Sequence, residues 1–97
     1  MFVQRLTFSL KPGTMVQATE MLYEGQSMLK APHGRRIFTP YIAPRPAVVL
    51  ELDFQNLAEL EKYWADWFAL PETPAFMERW DQLIGSGTDS EVWSLVE

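Results

Sequence analysis

Cysteine is absent from the 97-residue chain, and histidine occurs once, at His33. The first absence excludes disulfides, thiolate nucleophiles and cysteine-based metal sites. No apolar run approaches the roughly 20 residues that a membrane-spanning helix needs. The amino terminus also lacks the basic and apolar segments of a signal peptide. We therefore expect a cytoplasmic protein without a membrane span, a metal site or a cofactor.

Basic side chains are also scarce, because eight lysines and arginines stand against 13 aspartates and glutamates, for a formal charge of -5. A nucleic-acid surface needs clustered positive charge to neutralise phosphates. Arg35 and Arg36 alone do not form such a cluster, so we expect no nucleic-acid partner. The hydrophobic fraction of 47% is that of a globular chain. Residues 1–97 are therefore expected to form one domain, whose modest core would gain from association with a second copy.

The aromatic side chains are concentrated in residues 56–80, where the apolar residues recur at helical spacing. Asn56 and Glu59 have the spacing of a capping box, so a helix begins there. Pro71 ends this helix, and Thr73, before a proline, can cap a second one. The predicted apolar stripe consists of Leu57, Leu60, Trp64, Trp67, Phe68, Phe76, Trp80, Leu83 and Ile84.

The rest of the chain alternates between strand and helix patterns. Residues 2–10 have the period of a strand, with Phe2, Leu6, Phe8 and Leu10 on the apolar side. A helix follows Thr14, which can cap it, and we expect close packing at its interior glycine, Gly25. Residues 36–42 and 47–54 form a hairpin around a proline-rich turn, with Pro40 placing the first arm at a sheet edge or bulge. Residues 85–87 end the last helix and form a loop, and residues 90–96 form the fourth strand.

The order β-α-β-β-α-β, with the second helix broken in two, predicts an α+β fold of the ferredoxin-like type. Its antiparallel sheet has four strands, the first and third of which are central. Both helical stripes cover one face of this sheet.

The other face of the predicted sheet is too apolar for a solvated surface and too charged for an ordinary core. It would carry Val3, Arg5, Thr7, Thr39, Tyr41, Val49, Glu51, Asp53, Trp93 and Leu95. A second copy is the simplest cover, which predicts a homodimer. The expected interface residues are Arg5, Tyr41, Val49, Glu51 and Trp93. Within it we expect Arg5 to pair with Glu51 and Trp93 to offer the guanidinium a π-face.

Three segments resemble the NIPSNAP-type members of the dimeric α/β barrels: LTFSLKPGTM, DFQNLAELEKYWADWFALPETPAFMERW and EVWSLVE. The wider superfamily includes the antibiotic-biosynthesis monooxygenase-like domains. The resemblance implies a dimer whose two sheets face each other to form a barrel, with a ligand cleft between sheet and helices in each subunit. Haem-degrading members place a ligand histidine on the second helix, and no histidine lies there in this chain. The resemblance therefore implies no haem coordination.

Aromatic residues of the second half are candidates for lining a pocket that holds a flat aromatic molecule, as the cofactor-independent monooxygenases of the superfamily do. At helical spacing such residues more often form core. The candidate ligand-binding residues are Tyr63, Trp64, Trp67 and Trp80, together with His33.

The ionisable candidates have structural alternatives. His33 can bind an acid or act as a base, or be a surface histidine in the turn that ends the first helix. Three carboxylates, those of Glu51, Asp53 and Glu91, can act as general acids and bases or coordinate a metal ion. Their proximity to Arg5 favours a structural ion pair instead. No catalytic residue is assigned on this basis.

Two functions from different classes remain open. The first is a non-catalytic dimer that binds a small hydrophobic molecule, which we favour because no acid, base and orienting group converge in the sequence. The second is a cofactor-independent monooxygenase or isomerase acting on an aromatic or polyketide-like substrate. An open cleft with inward-facing polar groups favours the enzyme.

Overall fold

Four strands and three helices make up residues 1–96, the part of the chain that the computed structural model describes. The elements are β1 (Phe2–Leu10), α1 (Met15–Met28), β2 (Arg35–Phe38), β3 (Ala47–Phe54), α2 (Leu57–Ala69), α3 (Thr73–Asp81) and β4 (Ile84–Ser94). The strands pair antiparallel in the order β2-β3-β1-β4. The predicted ferredoxin-like α+β fold, with the first and third strands central, is confirmed. No helix in residues 1–96 is long and apolar enough to cross a membrane.

The core lies between the sheet and the helices. Strand β3 contributes most to it, since Val48, Leu52 and Phe54 are fully buried. Strand residues that face the helices occur at every second position, so each central strand presents one apolar side. On the sheet, Phe8 packs edge-to-face against Trp80 of α3, with ring centroids 4.9 Å apart.

Helix α2 begins at the predicted cap. The Asn56 Oδ1 atom accepts a hydrogen bond from the Glu59 backbone N–H at 2.9 Å. The Glu59 carboxylate in turn accepts from the Gln55 N–H at 2.9 Å, one residue before the usual partner of a capping box. The bond from Gln55 is the main reason that the pKa of Glu59 is lowered. The helix ends at Ala69, two residues before Pro71, as predicted.

Two predicted threonine caps are wrong. Thr73 is the first residue of α3, and its buried hydroxyl donates to the Trp67 carbonyl at 2.5 Å. The same carbonyl accepts from the Leu70 N–H at 3.2 Å, and Pro71, four residues after Trp67, has no N–H to donate. The hydroxyl therefore supplies a second partner to an acceptor at the end of α2. The hydroxyl of Thr14 likewise donates to the carbonyls of Lys11 and Leu83, at 2.8 and 3.0 Å, instead of accepting from α1. Both side chains tie neighbouring segments together.

The prediction for the first hairpin arm is wrong at its end. Strand β2 stops at Phe38, because Pro40 has no backbone N–H to donate to a neighbouring strand. Tyr41 lies in the loop that follows, where it is 99% exposed. In the observed register Arg36 stands opposite Glu51 and Phe38 opposite Val49. Arg36 and Phe38, rather than Thr39 and Tyr41, therefore lie on the sheet face away from the helices.

Strand β4 is longer than predicted and begins at Ile84 rather than at residue 90. Residues 85–87 were expected to form a loop, but they belong to the strand. The pairing with β1 shifts between Phe8, opposite Thr88, and Leu10, opposite Ile84. Gly87 has a φ of 92°, a backbone conformation that glycine adopts without steric cost, so it accommodates this bulge.

Candidate ligand cavity and open sheet face

A cavity of about 310 Å³ lies between the sheet and the helices. Its floor is formed by Gln4, Leu6 and Phe8 of β1 and by Leu50 of β3. These residues alternate along their strands, so all of their side chains point to the helical side of the sheet. The cavity therefore belongs to the same layer as the core.

The cavity walls come from all three helices. Helix α2 supplies four aromatic rings, those of Tyr63, Trp64, Trp67 and Phe68. Phe68 is 65% exposed, so the cavity meets solvent beside it. Phe68 and Leu57 were predicted to be buried with the apolar stripe, and both are exposed. The buried face of α2 is instead centred on Tyr63 and Trp67.

Gly25 of α1 lines the cavity and allows two rings to approach the helix backbone. A Cβ atom at this position would lie 3.1 Å from Phe76 Cζ and 3.3 Å from Trp67 Cη2. The two rings meet at right angles, with centroids 5.3 Å apart. The close packing predicted at Gly25 is confirmed, and it explains why glycine is present within a helix despite its low helix propensity.

Two glutamine side chains bring polar atoms to the cavity. Gln4 Oε1 accepts a hydrogen bond from Trp64 Nε1 at 2.7 Å, and Gln4 Nε2 donates to Ser90 Oγ at 3.3 Å. Gln26 Nε2 donates to the Tyr63 hydroxyl at 2.8 Å, and its Oε1 accepts from the Ala31 N–H at 3.1 Å. These bonds fix the orientation of both amides, because an indole N–H and a backbone N–H can only donate.

Tyr63 is the one ionisable residue in the cavity lining of residues 1–96. Its hydroxyl donates to the Leu29 carbonyl at 2.8 Å and accepts from Gln26. Burial raises the pKa of this hydroxyl above its usual value, and the bond from Gln26 opposes the shift in part. The residue is therefore neutral at physiological pH, so the cavity offers hydrogen bonds but no group suited to general base catalysis.

The structure brings three of the five predicted ligand-binding residues together. Tyr63, Trp64 and Trp67 line the cavity. Trp80 is buried behind it, against Phe8. His33 lies before β2, where its Nε2 atom is 3.0 and 3.2 Å from the two carboxylate oxygens of Glu59.

Gln4 and Gln26 were not identified from the sequence, although one signal for Gln4 was present. The apolar alternation of β1 runs through Phe2, Leu6 and Phe8, and Gln4 interrupts it. A polar residue within an apolar strand face requires a hydrogen-bonding partner inside the protein. Gln26 had no comparable signal, because its side-chain partner, Tyr63, lies 37 residues away in the sequence.

The sheet face away from the helices carries a four-residue ion network. Glu51 accepts from Arg5 Nε at 2.8 Å and from Arg36 Nε at 2.9 Å. Arg36 also makes two parallel bonds to Asp53, at 2.6 and 2.9 Å. Burial raises the pKa of Glu51, but the bonds from Arg36 and Arg5 outweigh it and lower the pKa below its usual value. The bonds to Asp53 and Glu51 raise the pKa of Arg36.

The predicted pairing of Arg5 with Glu51 is confirmed, whereas the predicted contact of Arg5 with Trp93 is wrong. Trp93 stands opposite Val3, and within residues 1–96 the cation–π contacts involve other arginines. Around the ion network this face exposes apolar rings, with Trp93 54% and Phe38 47% exposed. Val49 lies between Thr7 and Phe38 in the sheet register.

Comparison with protein-family models and with curated proteins finds no match. Solved structures do match over almost the whole chain. A NIPSNAP family protein of unknown function from Agrobacterium tumefaciens is 21% identical, with a TM-score of 0.79 over 96% of this chain and 86% of that protein. An uncharacterised NIPSNAP domain protein from Burkholderia xenovorans is 13% identical, with a TM-score of 0.81 over 99% and 95%.

An antibiotic biosynthesis monooxygenase also has a similar fold, with a lower TM-score than the NIPSNAP structures. It is 12% identical, with a TM-score of 0.73 over the full length of both chains. The structural neighbours are thus NIPSNAP family proteins and antibiotic biosynthesis monooxygenase-like proteins, in agreement with the resemblance found in the sequence. At these sequence identities, the structural similarity establishes the fold of this chain.

Proposed function

We propose that this chain forms a homodimer that binds a small hydrophobic or aromatic molecule in the cavity between sheet and helices. The observation that carries the proposal is the uncharged cavity of about 310 Å³, with four aromatic rings from one helix in its wall. An apolar cavity of about 150 Å³ holds one benzene molecule. The present cavity is about twice as large, which suits a molecule of two fused rings.

Binding is favoured over catalysis by the hydrogen bonding of the cavity lining. Tyr63 has a raised pKa, and its hydroxyl both donates and accepts within the protein. A general base needs a free acceptor near the reacting proton and a pKa close to the working pH. The alternative function, a cofactor-independent monooxygenase or isomerase, is supported by likeness of fold, which does not by itself establish an activity.

Dimer formation is supported by the sheet face that carries the ion network. Trp93 and Phe38 are large apolar side chains exposed at its two sides, on β4 and β2. The four charges of the ion network are already paired within one subunit, so covering the face leaves none of these four without a partner. Apposition of two copies of this face would form an isologous interface, the type found in twofold dimers.

Ligand binding is tested with a variant that fills the cavity. Met77 of α3 lines the cavity and is half-buried, so Met77→Trp should place a ring in the space that the ligand needs. We expect the wild type to bind naphthalene in equilibrium dialysis and the variant to lose about tenfold or more in affinity, which is about 1.4 kcal/mol.

Met28→Trp is the matched control, because Met28 is also half-buried against the core but lies outside the cavity lining. This control should bind as the wild type does. Absence of naphthalene binding to the wild type, or equal binding by all three proteins, contradicts the proposal.

A further inference from the structure

We propose that Gln4 is the polar recognition residue of the cavity and selects neutral, planar two-ring molecules that carry a hydrogen-bond acceptor such as a carbonyl oxygen. This inference rests on the proposed function, because it specifies which molecules the cavity takes. It concerns the side chain that interrupts the apolar face of β1.

The orientation of the Gln4 amide is fixed by Trp64. The indole Nε1–H can only donate, and at 2.7 Å it bonds the Gln4 oxygen. The amide nitrogen must therefore point to the other side. The bond to Trp64 thus leaves the amide nitrogen as the end of the Gln4 side chain that is available to an additional acceptor.

The amide nitrogen of Gln4 has donor capacity to spare. It carries two N–H groups, and its one acceptor among residues 1–96 is the Ser90 hydroxyl at 3.3 Å, near the upper limit for such a bond. Ser90 itself is exposed on β4, whereas Gln4 is buried and lines the cavity. A ligand acceptor can use the second N–H, or replace Ser90, without breaking the bond to Trp64.

Gln26, the other amide in the lining, is engaged more tightly. Its oxygen accepts from the Ala31 N–H at 3.1 Å, and its nitrogen donates to the Tyr63 hydroxyl at 2.8 Å. Tyr63 in turn bonds the Leu29 carbonyl. This chain of bonds holds the end of α1 against α2, so displacing Gln26 would disrupt the protein itself.

The lining also sets the charge and the shape of the ligand. Among residues 1–96, no lysine, arginine, aspartate or glutamate lines the cavity, so a charged ligand would lose its hydration without gaining an ion pair there. The aromatic rings of α2 favour a flat ligand. A donor group such as Gln4 Nε2 increases the affinity for a ligand with a carbonyl oxygen, but not for a hydrocarbon of the same size.

Coumarin and naphthalene make a suitable pair of probes, since both are neutral two-ring molecules and coumarin alone carries a carbonyl. We expect wild-type protein to bind coumarin about three- to tenfold more tightly than naphthalene, the range of a single neutral hydrogen bond. Gln4→Met keeps the length of the side chain but removes the amide. It should abolish the preference while still binding naphthalene. Ser90→Ala, the control, leaves the amide free and should keep the preference or increase it.

A spectroscopic readout on the wild type makes the test independent of how well Gln4→Met folds. Coumarin should shift a side-chain N–H resonance of Gln4 in ¹H–¹⁵N spectra downfield, and naphthalene should not. The Trp64 indole N–H should keep the shift of a hydrogen-bonded donor with either probe.

The outcomes separate the two claims. Binding of neither probe to the wild type overturns the proposed function and this inference with it. Equal binding of both probes, or a coumarin preference that survives Gln4→Met, overturns the inference alone. Loss of the preference in Ser90→Ala also contradicts it, because the hydroxyl rather than the amide would then make the contact.

Discussion

Trp64 and Trp67 lie three residues apart on α2 and line the same cavity, but they differ in burial. Trp67 is buried among Gly25 and Phe76, whereas Trp64 is only partly buried and bonds Gln4. Helical periodicity predicted that both would face the sheet. Periodicity did not distinguish the buried ring from the partly exposed one. The burial of each ring depends on side chains of α1, α3 and β1, which are distant in the sequence.

Replacing each tryptophan with alanine should separate these two roles. Trp67→Ala should lower the free energy of unfolding by about 3–5 kcal/mol, since it removes a large buried ring. Trp64→Ala should cost less, because part of its surface is already in contact with solvent, and it should weaken naphthalene binding. Urea unfolding and equilibrium dialysis measure the two effects. Equal losses of stability in the two variants would show that Trp64 is core.

At the scale of the elements, the pattern of strand and helix was predictable but the register of β2 was not. The side chains of a strand alternate between faces, so a shift of one residue exchanges the two faces completely. Residues 36–42 contain apolar side chains at both odd and even positions, so the alternation alone did not fix the register. The observed register places Arg36 beside Glu51 and Asp53, where it makes three hydrogen bonds.

In strand β4 the error concerns the length of the element, because its first half was predicted to be a loop. Glycine and serine at 85–87 are typical of turns, and the pairing of Ile84 with Leu10 on β1 overrides that local preference. Such long-range pairing is not visible in a short window of sequence. The amino end of α2, by contrast, was predictable because its cap involves residues three and four positions apart.

At the scale of the whole molecule, the proposed dimer makes the sheet face an interface. Such an interface should bury about 1,200 Å² or more in total. Val49→Lys places a charge near the centre of this face and should convert the dimer to a monomer in sedimentation equilibrium at micromolar concentration. Val16→Lys is the matched control, because Val16 is 71% exposed on α1, on the helical side. The control should stay dimeric. A monomeric wild type, or a dimer that Val49→Lys leaves intact, would contradict the proposed interface.

The central claim is that the space between sheet and helices is a binding site, and a crystal structure of the wild type grown with naphthalene tests it most directly. The account predicts planar density above Leu6 and Leu50, in contact with Trp64 and Phe68, with the side chains of the lining little moved. A cavity closed by the rings of α2 and α3, or naphthalene bound only outside it, would contradict the account.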